Sequence, residues 1–115
     1  MAETLRDVLI LTGPTGSGKT RLGIELAKRL DAEIISMDSM ALYRGMDIGT
    51  AKPAQAERAQ VPHHLLDVLD PWESASVAWW LKQAHECCER IRERGRKILF
   101  VGGTPLYLKA LLAPR

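Results

Sequence analysis

A chain of 115 residues, 46% apolar and 26% charged, has an ordinary globular balance and is long enough for one core and no more. Its net charge of +2 permits a nucleic-acid partner without arguing for one, because whole-chain charge says little about a local patch. No apolar run approaches the roughly 20 residues that span a bilayer, and the start Met-Ala-Glu-Thr-Leu-Arg lacks the basic-then-apolar order of a secretory signal, so membrane and secreted classes are set aside and a cytoplasmic protein is expected.

The first predicted element is a strand over residues 7–11, followed at once by Gly13, Pro14, Thr15, Gly16, Ser17, Gly18, Lys19 and Thr20. Glycines at 13, 16 and 18 let the backbone wrap tightly, aim several N–H groups inward and approach anionic oxygens without Cβ clashes. Lys19 adds a mobile cation for terminal phosphates, and the Thr20 hydroxyl is placed to ligate Mg²⁺. A helix expected from about residue 18 to 30 directs its positive dipole end at the same anion. Strand before and helix after are the context this loop requires, so these eight residues are read as holding a di- or triphosphate, as in a nucleotide.

A second apolar run, Glu33-Ile34-Ile35-Ser36-Met37, ends in Asp38 and completes a strand–helix–strand unit. A near-continuous apolar strand with polar residues only at its C-terminal edge is what a parallel sheet covered on both faces produces, and it brings Asp38 beside the loop. From Tyr43 to Trp72 no period is sustained and Pro53, Pro62 and Pro71 interrupt the stretch, with one short helix expected over 54–60. By analogy with phosphate-loop kinases this long connection is read as a lid over the acceptor substrate. His63 and His64, ahead of a strand-like Leu-Leu-Asp-Val, are read as structural, and Lys52 as a solvated cation.

The next helix has Ser76 as N-cap, apolar residues at Val77, Trp80, Leu81, Ala84, Cys88 and Ile91, and Gly95 just past its end. Trp79 and Trp80 are consecutive, so one is expected to pack while the other covers the lid or a neighbour. Cys87 and Cys88 suit neither a structural disulfide nor a zinc pair and are read as one core and one flank thiol. Arg90, Arg92, Arg94, Arg96 and Lys97 gather where a helix dipole favours cations. A third strand over 97–101 ends in Gly102-Gly103-Thr104, and Pro105 suits the first position of a helix running to Leu112. Three strand ends therefore converge on one cleft of an α/β fold.

The residues alone leave the reaction open. Asp38 fits a carboxylate that holds Mg²⁺ through water, as in a kinase or NTPase, and fits equally a base or acceptor for a nucleophile arriving across from the diphosphate.

Four stretches in order, Gly-Pro-Thr-Gly-Ser-Gly-Lys-Thr (13–20), Ile-Ile-Ser-Met-Asp-Ser-Met-Ala-Leu-Tyr-Arg-Gly-Met-Asp-Ile-Gly-Thr-Ala-Lys-Pro (34–53), Pro-His-His-Leu-Leu-Asp-Val (62–68) and Val-Gly-Gly-Thr-Pro-Leu-Tyr (101–107), closely resemble the tRNA dimethylallyltransferase, or tRNA isopentenyltransferase, family. The resemblance covers essentially the whole chain. It implies transfer of a dimethylallyl group from dimethylallyl diphosphate to N6 of the adenosine just 3′ of the anticodon, with tRNA as partner through its anticodon stem-loop, Mg²⁺ as cofactor near Thr20, and no obligate protein partner. Gly13 to Thr20 would then hold the donor's diphosphate rather than ATP. Asp38 would deprotonate the adenine amine, Ser39, Met40 and Ala41 would lie along the RNA, and Thr104 would stand near the acceptor base as a second catalytic residue.

The same resemblance implies a P-loop NTPase-like parallel sheet with flanking helices, three of whose core strands are present in the order 2-3-1. Residues 1–115 would form the N-terminal part of that prenyltransferase core, with the insertion domain and C-terminal part absent and activity alone weak or lacking. Other classes share the loop: a P-loop nucleotide or small-molecule kinase, marked by tight ATP binding; an adenylate isopentenyltransferase, acting on a free nucleotide; and a diphosphate- or RNA-binding fragment without turnover. The Gly-Thr-Ala-Lys-Pro and His-His-Leu stretches look more like the tRNA enzymes.

Overall fold

In a computed structural model, which describes residues 8–13, 18–45 and 52–113, strands β1 (Val8–Thr12), β2 (Ala32–Ser36), β3 (His63–His64) and β4 (Lys97–Gly102) form one parallel sheet in the order β1-β4-β2-β3. The expected order of the first, second and third apolar strands is present as β2-β4-β1, with Val8 opposite Ile98 and Ile34 opposite Leu99. The fourth strand is an addition. It pairs His63 with Ile34 and His64 with Ile35 outside β2, while the strand-like residues after it turn away, Leu65 at φ 63° and Asp67 at φ 53°.

Helices cover both faces of the sheet: α1 (Lys19–Leu30) on one, α3 (Val77–Glu93) and α4 (Pro105–Leu112) on the other. All five β2 residues are buried in consequence. Side chains alternate across the pleat: Ile34 and Leu99 pack with Ile24 and Ala27 of α1, whereas Ile35, Ile98 and Phe100 pack with α3 and α4. Full burial of a side chain such as Phe100 contributes about 2 kcal/mol. Of the two tryptophans, Trp80 is the fully buried one, stacked on Tyr107 at 4.5 Å and donating from Nε1 to Ser36 O at 3.2 Å, while Trp79 is partly covered.

The helix ends follow the local rules. Ser76 Oγ accepts the Trp79 N–H at 3.0 Å. At the other end Gly95 adopts φ 75°, its N–H bonds Arg92 O and the Arg96 N–H bonds Ile91 O, the paired bonds of a left-handed helix stop. The short helix expected over 54–60 is α2 (Gln55–Arg58), steadied by the Ala54 N–H on Glu57 Oε1 at 2.8 Å.

Two expectations change. Both cysteines are free and buried, where one was expected on the helix flank, and Arg90 Nη2 lies 3.4 Å from the Cys87 sulfur. Burial pushes the Cys88 thiol up to about 12 and raises that of Cys87. The basic cluster is only partly a helix-dipole feature. Arg94 grips buried Glu33 with Nε–Oε2 at 2.8 Å and Nη2–Oε1 at 2.6 Å, and Arg96 lies 3.5 Å from the same carboxylate. Glu33 sits near the start of β2, so this cluster faces the sheet end opposite the loop after β1.

Candidate active site

The C-terminal ends of β1, β2 and β4 meet because glycine lets them. A Cβ on Gly102 would come within 2.5 Å of Met37 O, and one on Gly103 within 2.8 Å of Gly13 O and 3.6 Å of Lys19 Nζ. The sheet pattern runs on past the strands: the Met37 N–H donates to Val101 O at 2.8 Å and the Thr104 N–H to Met37 O at 3.2 Å. These contacts fix the turn 102–104 against both neighbouring strand ends.

Of the loop residues, Pro14, Thr15, Gly16 and Ser17 lie outside the described residues. Gly18 is the N-cap of α1 at φ 83°, a conformation suited to glycine. Among the described residues no side chain caps α1, and its first turn carries no acid, an arrangement that suits an outside anion. Lys19 is buried and donates from Nζ to Gly13 O at 2.6 Å, bringing its charge back over the end of β1.

Asp38 follows β2 and opens a 3-10 turn, Met40–Leu42. Its Oδ1 accepts the Met40 N–H at 3.1 Å and its carbonyl accepts the Ala41 N–H at 3.2 Å, so the carboxylate is held by its own loop. Thr104 Oγ1 accepts the Ser39 N–H at 2.9 Å. Lys19, Thr20, Asp38 and Ala41 line one narrow cleft of about 40 Å³ with Ser36 and His63 beside them, over an apolar wall of Ile34, Leu66 and Val101.

Structure thus brings together Lys19, Thr20, Asp38 and Ala41 in the cleft and Ser39 and Thr104 at its side, while Met40 stands exposed on the turn. Sequence reasoning missed Pro53 and Leu66, which reach the cleft from the long connection. It also misread Lys52. That side chain is 6% exposed and donates to both Asp67 Oδ1 and Tyr43 O at 2.6 Å, and its partner Asp67 could not be known from spacing. His63 Nδ1 lies 2.9 Å from Val61 O and burial lowers its pKa, which favours the neutral ring; His64 Nε2 lies 2.7 Å from Glu33 Oε1.

Among the described residues no group of three His, Cys, Asp or Glu side chains could hold a metal, and no helix is long and apolar enough to cross a membrane.

A family model described as IPP transferase matches residues 41–115, and one described as isopentenyl transferase matches residues 6–67. The tRNA dimethylallyltransferase of Rhodopirellula baltica is 52% identical over 96% of this chain and 36% of its own length, and that of Methylococcus capsulatus is 55% identical with the same two coverages. The solved tRNA isopentenylpyrophosphate transferase of Bacillus halodurans superposes with a TM-score of 0.84 at 51% identity, over 91% of this chain and 35% of that one. A eukaryotic dimethylallyltransferase acting on tRNA gives a TM-score of 0.84 at 36% identity, over 94% of this chain and 27% of that one. The fold shared with these structures is the P-loop NTPase-like sheet. The chain spans about a third of the length of the curated relatives it matches, 36% and 35% of the first two.

Proposed function

We propose, from the premise that this chain belongs to the IPP transferase family, that it carries the donor and acceptor sides of a prenyl-transfer site acting on tRNA in the cytoplasm. A dimethylallyl group passes from dimethylallyl diphosphate to N6 of the adenosine just 3′ of the anticodon. One observation carries the reading: Lys19 and Thr20, at the amino end of α1, and Asp38, just past β2, line the same cleft.

The chemistry assigns each side a task. On the donor side the allylic C–O bond breaks and its electron pair leaves with the diphosphate, whose charge Lys19 and the amino end of α1 stabilise. On the acceptor side N6 forms the new bond to carbon. An exocyclic amine is a poor nucleophile until it sheds a proton, and the Asp38 carboxylate takes that proton. Because Asp38 is held by the Met40 N–H, its geometry is set before substrate arrives. Ser39, Met40 and Ala41 lie along the RNA, and Thr104 stands by the acceptor base through its bond to Ser39. The base must leave its stack to enter so narrow a cleft, which suits a single-stranded anticodon loop.

The Thr20 hydroxyl on the cleft suits Mg²⁺, a hard ion that keeps waters and substrate oxygens around it rather than an all-protein cage. Thr20 would hold it, and when bound it would supply charge neutralisation to the leaving diphosphate.

The test offers the intact protein an anticodon stem-loop RNA or AMP, with labelled dimethylallyl diphosphate or ATP. Label reaching adenine N6 of the RNA from the prenyl donor, and its loss in Asp38→Ala, is the expected result. Phosphate transfer from ATP would overturn the reading, and prenylation of AMP alone would move it to a free-nucleotide acceptor.

A further inference from the structure

We infer that Lys52, fixed by Asp67, is a positioning residue for the loop that carries Asp38; the inference rests on the prenyl-transfer reading above. Lys52 reaches this loop from the far side of the sequence connection, and its Nζ ends on two oxygens: Tyr43 O, where the loop finishes, and Asp67 Oδ1, both at 2.6 Å. The second carboxylate oxygen of Asp67 accepts Arg58 Nη1 at 2.6 Å, so the acid is tied from two sides.

Asp67 also belongs to a segment that runs along the loop itself. Its N–H donates to Ala41 O at 3.0 Å, the Val68 N–H to Leu42 O at 2.8 Å, and the Arg44 N–H to Leu69 O at 2.8 Å. Tyr43 and Leu69 form a parallel bridge in the same register. The loop is thereby held at Ser39 by Thr104 and at Tyr43 by Lys52, with Ala41 between these anchors and Asp38 immediately ahead of the first, both lining the cleft. Pro53, next to Lys52, lines the same cleft.

A purely stabilising role explains this poorly. An ion pair between a covered lysine and an acid whose side chain is 29% exposed returns little net stability, because solvent screening and desolvation offset the attraction. What Lys52 supplies that an apolar side chain cannot is a directed donor on Tyr43 O. Displacing Tyr43 and Ala41 moves Asp38, since the Ala41 and Met40 N–H groups both bond Asp38. Lys19 and α1 are attached to other strand ends and are not displaced with it.

The test compares the intact protein with Lys52→Met, Lys52→Arg and Asp67→Asn, measuring kcat and the KM values for dimethylallyl diphosphate and anticodon stem-loop RNA. Lys52→Met is expected to lower kcat by about tenfold or more and raise the RNA KM, with the diphosphate KM within about twofold and partial recovery in Lys52→Arg. A folded Lys52→Met with unchanged kcat and RNA KM would overturn the inference, as would losses that only track the folded fraction. Where Lys52→Met does not fold, the same split in Asp67→Asn decides. If the unsubstituted protein moves no prenyl group, the prenyl-transfer reading fails instead. Amide exchange then judges the clamp: faster exchange over 38–44 with β4 and α3 unchanged supports it, and unchanged exchange there overturns it.

Discussion

Thr104 Oγ1 accepts the backbone N–H of Ser39 at 2.9 Å, joining the turn after β4 to the loop after β2 across 65 residues. Thr104 is also the N-cap of α4, yet its side chain makes no cap bond, so its hydroxyl serves the Asp38 loop in place of its own helix. Thr104→Val keeps the shape and removes the acceptor, leaving the Ser39 N–H without this partner. The expected cost is about 1 kcal/mol of stability and a fall of about tenfold or more in kcat with diphosphate affinity unchanged; Thr104→Ser should restore both. Urea unfolding beside steady-state kinetics reads the two effects separately.

Gly102 and Gly103 are needed for space, since neither is among the glycines with positive φ. Gly102→Ala drives a methyl into the Met37 backbone, which belongs to the sheet and has nowhere to go. We expect it to cost about 2 kcal/mol or more, visible as a lowered Tm. Gly103→Ala meets Gly13 O, the oxygen that Lys19 Nζ bonds. Its main expected effect is weaker diphosphate binding by titration calorimetry, with a smaller loss of Tm. Equal effects of the two on binding would contradict the separate roles.

What could be read in the chain was whatever is written locally. The strands β1, β2 and β4, the Ser76 cap, the Gly95 stop and Pro105 each follow from a few adjacent residues, and the strand ends then follow from parallel topology. β3 was not legible, because two histidines show no periodicity and pair only after β2 is in place. Lys52 and Arg94 looked like surface cations for the same reason: Asp67 lies 15 residues from Lys52 and Glu33 lies 61 residues from Arg94, beyond any local pattern. In the candidate site, the loop and Asp38 were legible from motif and strand end. Pro53 and Leu66 were not, since the connection that delivers them has no regular structure to project from.

Cys87 and Cys88 lie under the sheet with their thiols raised by burial, Cys88 to about 12. Thiolate, the reactive form, is therefore scarce at neutral pH and the sulfurs are covered. A thiol-specific chromogenic reagent should label neither cysteine in the native protein over minutes and both in denaturant. Prompt labelling of Cys87 under native conditions would show that α3 does not press it inward as described.

Glu33 gives the fold an acid-sensitive joint. The bidentate Arg94 bond lowers its pKa from 4.5 to about 2; burial opposes this, and the His64 bond adds to the lowering. Because the folded pKa lies below the unfolded one, the contribution is present in full above about pH 4.5 and is lost as pH falls through about 2. At about 1.4 kcal/mol per unit it amounts to at most about 3.5 kcal/mol. Asp67, where the Lys52 and Arg58 bonds outweigh the larger single effect of burial, is lowered too and adds to the same acid limb. Glu33→Gln should therefore reduce stability at pH 7 and flatten the decline between about pH 4.5 and pH 2, as followed by urea midpoints at each pH. Arg94→Met should be worse than Glu33→Gln at pH 7, because it leaves a buried carboxylate with only His64 and Arg96 beside it, and its stability should recover relative to the parent as acid neutralises that carboxylate. An Arg94→Met protein whose deficit stays constant down to pH 3 would sink this account of the joint.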